Sequence, residues 1–405
     1  MKSLSSITLG CKVNQAETEE FLSELAFSRV PPNAEADLVL VNTCAVTMEA
    51  DRQSRQVVRR AIRHGCPVIA TGCSVSLDPE SFRTLGAIPV PEKKEVRAAL
   101  RKFLDPAPPT SNPLRTRGFL KVTEGCSNHC AYCIVPRARG AEKRVPLERL
   151  LELVRNFEEA GIPEIVLTGT RLGTYGLKED FPLPRLLEQL FEAAPTVKRW
   201  RLASIEPIDL SPALAELFLH PHVCPHLHLP LQSGSDKILK AMKRRYDLAA
   251  YGNSVRMLRE RRKDLTLTTD LIVGFPGEEE EDFLATLKAV EDFSFAGVHA
   301  FPFSPRPGTE AAEWPRVPAP EVKDRLGRLL ANVGRIRQNW LDSWIEQEVE
   351  VVVERVRDPL LRTGLTPHYL RVDFEAEEAR QGEIIKVRVL SSEGEGAYGA
   401  PTSAR

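Results

Sequence analysis

The sequence predicts an α/β protein in three parts: an N-terminal parallel α/β domain, a partial TIM-type (β/α)6 barrel and a C-terminal small β-barrel. Three observations predict it. Strand-like and helix-like runs alternate through the first hundred or so residues, and the alternation restarts after a polar, Pro-rich stretch at 105–113. Beyond a long amphipathic segment the chain ends in short β-rich runs with no helix between them. At 405 residues it is also too long for one ordinary core. The divisions drawn from these shifts are 1–104, a linker at 105–115, the barrel at 116–335, and 336–405 for a connecting helix and the small barrel.

In the first domain, residues 5–9 read as a strand ending near Cys11. Asn14 with Glu17 three residues on resembles a capping box, opening a helix through 29. Residues 37–41 are a buried-strand run ending just before Cys44, and an Arg-rich helix over 49–64 follows, stopped by Gly65. Residues 67–71 form a third strand, leading into Cys73. Three successive strands therefore each deliver a cysteine past their carboxyl end, the edge where open parallel sheets bind ligands. Isolated buried thiols explain one such placement; three in register favour a shared ligand.

The barrel strands are expected at 118–122, 164–167, 198–202, 226–229, 265–273 and 297–301. Helices are expected between them at 147–160, 186–194, 211–219, 248–262 and 279–293, and a long one at 321–347. The terminal β segments are 349–356, 369–374 and 383–390.

Composition describes a soluble globular protein, with 42% hydrophobic and 27% charged residues. No run of about 18 apolar residues occurs, and the N-terminus does not resemble a signal peptide, so a cytoplasmic protein without a membrane span is expected. A net charge of −1 gives no global pull toward nucleic acid. The eight cysteines fit a disulfide framework poorly, because three of them crowd into Cys126-Ser-Asn-His-Cys130-Ala-Tyr-Cys133. In this C-x3-C-x2-C spacing three thiolates can hold three irons of a [4Fe–4S] cube and leave the fourth open for S-adenosylmethionine. A zinc site with His129 as fourth ligand ranks lower, since a ligand adjacent to Cys130 has poor bite geometry.

With its flanking motifs the loop resembles the radical S-adenosylmethionine methylthiotransferases over essentially the whole chain. Thr8-Leu-Gly-Cys11-Lys-Val-Asn-Gln15, Asn42-Thr-Cys44-Ala-Val-Thr47 and Thr71-Gly-Cys73 are similar to the family's three N-terminal cysteine motifs. Leu167-Thr-Gly-Thr170, Ser204-Ile-Glu-Pro207, Leu229-Pro-Leu-Gln-Ser-Gly234, Asp270-Leu-Ile-Val-Gly-Phe-Pro-Gly277 and Phe301-Pro-Phe-Ser-Pro-Arg-Pro-Gly-Thr309 are similar to its barrel-strand ends. The terminal β segment resembles the RNA-binding TRAM barrel. The resemblance implies two [4Fe–4S] clusters, a radical-generating one on Cys126, Cys130 and Cys133 and an auxiliary one on Cys11, Cys44 and Cys73 whose open iron carries the sulfur. It also implies two molecules of S-adenosylmethionine per turnover, a reductant and a sulfur donor. Tyr132, Gly169, Ser204, Glu206 and Gln232 become the expected cofactor-binding residues, with Cys66 and Cys224 as structural thiols.

Within the family, Gly10-Cys-Lys-Val-Asn-Gln15 resembles the subgroup acting on N6-threonylcarbamoyladenosine beside the tRNA anticodon. The other substrates considered are isopentenyladenosine and a ribosomal-protein aspartate; a non-catalytic iron–sulfur RNA-binding protein is the rival of a different class. Expected RNA contacts are Arg55, Arg59 and Arg63 on one helix face, Arg139 and Arg144 after the radical loop, and Tyr369 and Arg371 in the terminal barrel. That last segment is net acidic, with 8 Lys/Arg against 12 Asp/Glu from Glu346 onward, so RNA recognition there needs a local basic edge.

Overall fold

The computed structural model describes residues 1–32, 34–106, 115–356 and 360–402. The N-terminal body is a parallel sheet ordered Ser28–Arg29, Ser3–Thr8, Leu38–Thr43, Val68–Gly72 and Ile88–Pro89. Leu38–Thr43 and Val68–Gly72 are buried throughout, as uninterrupted apolar runs require of central strands covered on both faces. Thr47 caps the helix Met48–Ile62 by accepting from the Ala50 N–H, and Gly65 ends it at φ +77°.

The first helix departs from expectation. It runs Lys12–Leu22, with Cys11 at its N-cap and no side-chain cap, and two short strands, Leu25–Ala26 and Ser28–Arg29, take up the rest of the expected span. Asn14 and Glu17 are wholly buried and make no capping box, because their polar ends are committed to tertiary partners. Short helices at Cys73–Leu77, Pro79–Thr84 and Lys93–Leu100, absent from the expected pattern, complete the domain. Most of the expected linker, 107–114, lies outside the described residues.

The second body is an open barrel of six parallel strands: Gly118–Glu124, Glu164–Gly169, Arg199–Leu202, His226–His228, Thr266–Val273 and Gly297–Pro302. The third and fourth are joined by the bridges Trp200–Val223 and Ser204–His228. Leu120, Val122, Ile165, Leu167, Leu202, Leu227, Leu267 and Leu271 pack outward beneath the helices. Alternation therefore turns Phe119, Val166, Arg201, His226, His228, Thr268 and Asp270 into the lumen. Ala16 of the first helix packs against Phe119, Val166 and Ala203, so that helix lies across the inner face of the barrel.

The third body is a closed five-stranded barrel, Glu348–Val356, Leu361–Leu365, Arg371–Glu375, Gly396–Pro401 and Ile384–Glu393; two of these strands were not expected. The helix Ala319–Asp342 sends Leu329 and Val333 into the large barrel core and Leu341 into the small one, so a single helix belongs to both. Arg201 docks the small barrel by donating to the carbonyls of Thr366 and Pro367 at 3.0 and 2.9 Å, while its guanidinium grips the fully buried Glu164 at 2.7 Å. Among the described residues no helix is long and apolar enough to cross a membrane.

Two cysteine triads around a candidate active site

The topology gathers Cys11, Cys44 and Cys73 at the carboxyl edge of the N-terminal sheet. Gly10 lies so close to Cys44 that an added Cβ would stand 2.7 Å from its Cβ and Sγ; with φ at +87° only glycine fits this turn. Burial, reinforced by Cys73 and Cys11, pushes the Cys44 thiol up to about 11, and burial likewise raises Cys73. Asn14 pins the turn by donating to the Leu9 and Thr43 carbonyls at 2.8 and 2.9 Å.

Cys126, Cys130 and Cys133 occupy the loop after the first barrel strand. The Cys126 N–H donates to the Gly140 carbonyl at 3.1 Å and the Ala131 N–H to Met242 at 3.1 Å, tying the loop at both ends. Burial pushes the Cys133 thiol up to about 12, with Cys130 and Cys126 adding to it, and burial also raises Cys126. Each triad thus brings three soft sulfur donors within electrostatic reach of one another, the kind of donor set that a cluster of irons takes. The donor chemistry fits an iron–sulfur cluster at both places.

One short helix connects them. Val135–Arg139 starts two residues past Cys133, and at its end the Arg139 Nε–H donates to Cys73 Sγ at 3.2 Å. Arg139 also reaches Asn14 and, at 2.7 Å, Glu17, which is held as well by Lys93 at 2.6 Å. Burial raises the Glu17 carboxyl, but Arg139, Lys93 and Lys121 outweigh it and hold it at about 2. With its side chain 2% exposed, Arg139 is a strut between the triads and not the RNA contact expected of it.

The other expected residues divide. Gly169 ends the second barrel strand with its backbone against Thr123. Ser204 bridges to His228, and Gln232 bridges to Leu271 at φ +68°, both at strand ends around the lumen. Glu206 is ion-paired to Arg244, which donates to Cys130 Sγ at 3.4 Å. The Tyr132 ring lies edge-on to Phe275 in an apolar cluster with Ala131, Ile238 and Met242, 6.3 Å between centroids.

Two more RNA contacts are corrected. Arg55 is half-buried over Phe82 and paired to Asp51 and Asp78, so its charge is spent within the domain. Tyr369 is stacked on His226, centroids 4.3 Å apart and planes 13° apart, with Lys12 and Arg201 also over the ring at 5.4 and 5.2 Å, so it is packed within the chain and not offered to a base. Arg59, Arg63 and Arg371 are exposed, as is Arg144, which faces Glu179 at 3.4 Å.

Sequence reasoning missed Arg244, in the Lys243-Arg244-Arg245 run, and Arg171, which forks onto Asp209 at 2.6 and 2.7 Å beside the Cys126 loop. It also missed Asp270, whose two oxygens meet His228 at 3.3 Å and His299 at 3.2 Å. Burial raises the Asp270 carboxyl, but hydrogen bonds from the two imidazoles keep it well below the usual carboxylate range. Asp270 opens a quoted strand-end motif, so the signal was present; its two histidine partners come from other strands, and spacing does not reveal them.

Comparison with known proteins matches residues 120–290 to the Radical SAM superfamily and residues 4–88 to the Uncharacterized protein family UPF0004. The chain is 32% identical to the threonylcarbamoyladenosine tRNA methylthiotransferase MtaB of Bacillus subtilis (strain 168), over 97% of this chain and 94% of that one. It is 34% identical to the MtaB of Thermotoga maritima, over 97% and 96%. The tRNA-2-methylthio-N(6)-dimethylallyladenosine synthase of Anaeromyxobacter dehalogenans (strain 2CP-C) is 35% identical, over 97% and 92%. Among solved structures, the radical S-adenosylmethionine methyltransferase TsrM from Kitasatospora setae, with cobalamin and a [4Fe–4S] cluster bound, superposes with a TM-score of 0.53 at 15% identity over 77% of each chain, a likeness of fold.

Proposed function

The chain belongs to the radical S-adenosylmethionine methylthiotransferase family, and from that premise we propose that it converts N6-threonylcarbamoyladenosine at position 37 of tRNA to the 2-methylthio derivative. Membership brings S-adenosylmethionine and an iron–sulfur cluster with it. The observation that carries the fuller reading is the pair of cysteine triads linked through Val135–Arg139. Overall identity does not choose the adenosine, since relatives with both printed substrates lie at 32–35%. The choice rests on Lys12-Val-Asn-Gln15 after Cys11.

Cys126, Cys130 and Cys133 would hold one [4Fe–4S] cluster and Cys11, Cys44 and Cys73 the other. Bound there, the clusters would supply the electron that cleaves S-adenosylmethionine and the sulfur that is methylated and transferred, two molecules of S-adenosylmethionine, a reductant and a sulfur donor being consumed. The chain's own part is positional. N–H groups of Arg244 and Arg139 donate to the sulfurs of Cys130 and Cys73. Glu206, anchored by Arg244, and Gln232 present polar groups to a cofactor at the barrel mouth. Phe275 and Met242 wall the Tyr132 side of the loop against water. Arg59 and Arg63 remain for the tRNA backbone.

The test is mass spectrometry of tRNA nucleosides from a strain lacking this chain. The 2-methylthio-threonylcarbamoyl nucleoside should vanish and its unthiolated precursor accumulate. An unchanged profile for that nucleoside would overturn the assignment.

A further inference from the structure

Lys12, the residue after Cys11, starts the helix that crosses the barrel's inner face. Lys12 and Ala16 are one turn apart on the same side of that helix, and Ala16 rests on the lumen-facing Phe119, Val166 and Ala203. The Lys12 side chain therefore enters the lumen. Its Nζ stands 5.4 Å from the centroid of the Tyr369 ring, whose own face is stacked on the lumen residue His226.

The charges around it are unevenly matched. Arg201 grips Glu164 through two nitrogens, Arg117 meets Glu164 and Glu354, and Arg199 meets Glu350. Each guanidinium has its carboxylate. Lys12 is half-buried and, among the described residues, has neither hydrogen bond nor ion pair. A ring face offsets only part of the loss of water around an ammonium: burial pushes Lys12 down, against the opposing pull of Tyr369 and Glu164, so an anion brought from outside the chain would complete the site. Beside it His226, 1% exposed, shares Nε2 with Thr268 and, among the described residues, has no partner at Nδ1.

We infer that Lys12 is the subsite for the carboxylate of the substrate's threonyl group, selecting an adenosine that carries an amino-acid anion on N6 over one that carries a hydrocarbon. The inference rests on the threonylcarbamoyladenosine reading and deepens it.

The experiment uses the anaerobically reconstituted full-length enzyme with two tRNAs, one bearing threonylcarbamoyladenosine and one bearing its threoninamide analogue, in which the carboxylate is a neutral amide. Wild type should prefer the acid in kcat/KM by about tenfold to a hundredfold, the range of a charge-assisted hydrogen bond. In Lys12→Met the preference should shrink to less than about threefold, chiefly through a higher KM for the acid, and Lys12→Arg should restore most of it. Iron content and the visible spectrum of each variant establish that its clusters are loaded. Equal handling of acid and amide by the wild type, or an undiminished preference in Lys12→Met, would overturn the inference while leaving the proposed reaction standing. Absence of methylthio product from either tRNA with wild type would remove the proposed reaction and the inference with it.

Discussion

Replacing Arg139 with methionine should cost the N-terminal domain of the apo chain about 3 kcal/mol. Removing one partner of a buried ion pair generally costs about 3–5 kcal/mol, because the other charge is left in a poor solvent. Glu17 is 0% exposed, but Lys93 at 2.6 Å and Lys121 at 3.5 Å still face it, which places the cost at the low end. Methionine keeps much of the apolar stem, so little of the loss is packing. Amide hydrogen exchange across Lys12–Leu22 is the appropriate assay, since it reads local opening even where three bodies do not unfold as one. Exchange there should accelerate by about a hundredfold, and Glu17→Gln in the same chain should recover part of that by removing the stranded carboxylate. The pH dependence has a definite sign. Burial raises Glu17 but its three cations hold it at about 2 against 4.5 unperturbed, so its contribution is full above 4.5 and disappears as pH falls toward 2. An acceleration of less than about threefold, or no coupling between the two substitutions, would refute the account of Arg139 as a strut.

Four other outcomes are expected. The triple variant Cys11→Ala, Cys44→Ala, Cys73→Ala should bind about four irons per chain where wild type binds about eight, and still cleave S-adenosylmethionine to 5′-deoxyadenosine without forming methylthio product; an unchanged iron count would contradict the two-triad reading. Arg201→Met should loosen the small barrel from the large one, removing about 3 kcal/mol and exposing the docking face to limited proteolysis, because it leaves Glu164 with Arg117 at 3.4 Å and takes the donors from two carbonyls. Acid should do the same: burial raises Glu164, but Arg201 and Arg117 hold it at about 2, so that docking weakens as pH falls from 4.5 toward 2. Gly169→Ala places a Cβ 2.1 Å from Thr123 Oγ1, which should cost about 1–3 kcal/mol and weaken S-adenosylmethionine binding in an equilibrium assay. Adding Thr123→Ala, which deletes that oxygen, should recover part of both losses; no recovery would mean the clash is not the cause.

The cysteine triads, the six barrel strands and the β-rich terminus were all legible in the chain. Cysteine spacing and hydrophobic periodicity are short-range properties, and a strand's carboxyl end is marked by the residues just after it. Reading stopped where a local pattern had two physical uses. Asn14 and Glu17 have the spacing of a capping box, and Arg55 the spacing of a basic helix face. In the folded chain the first pair supports the Cys44 turn and receives Arg139, and Arg55 is paired with Asp51 and Asp78 over Phe82. Sequence alone grouped six cysteines into two sets of three, because three sulfurs within eight residues, and one past each of three strands, need no distant partner to be recognised. Tertiary structure alone decided which cations are spent and which are free. Arg139 and Arg201 are neutralised by carboxylates from other segments, Tyr369 is closed by His226, and Lys12 has no ion pair among the described residues. A charge's role depends on what lies within a few ångströms of it, and for each of these side chains that neighbour lies in another segment of the chain.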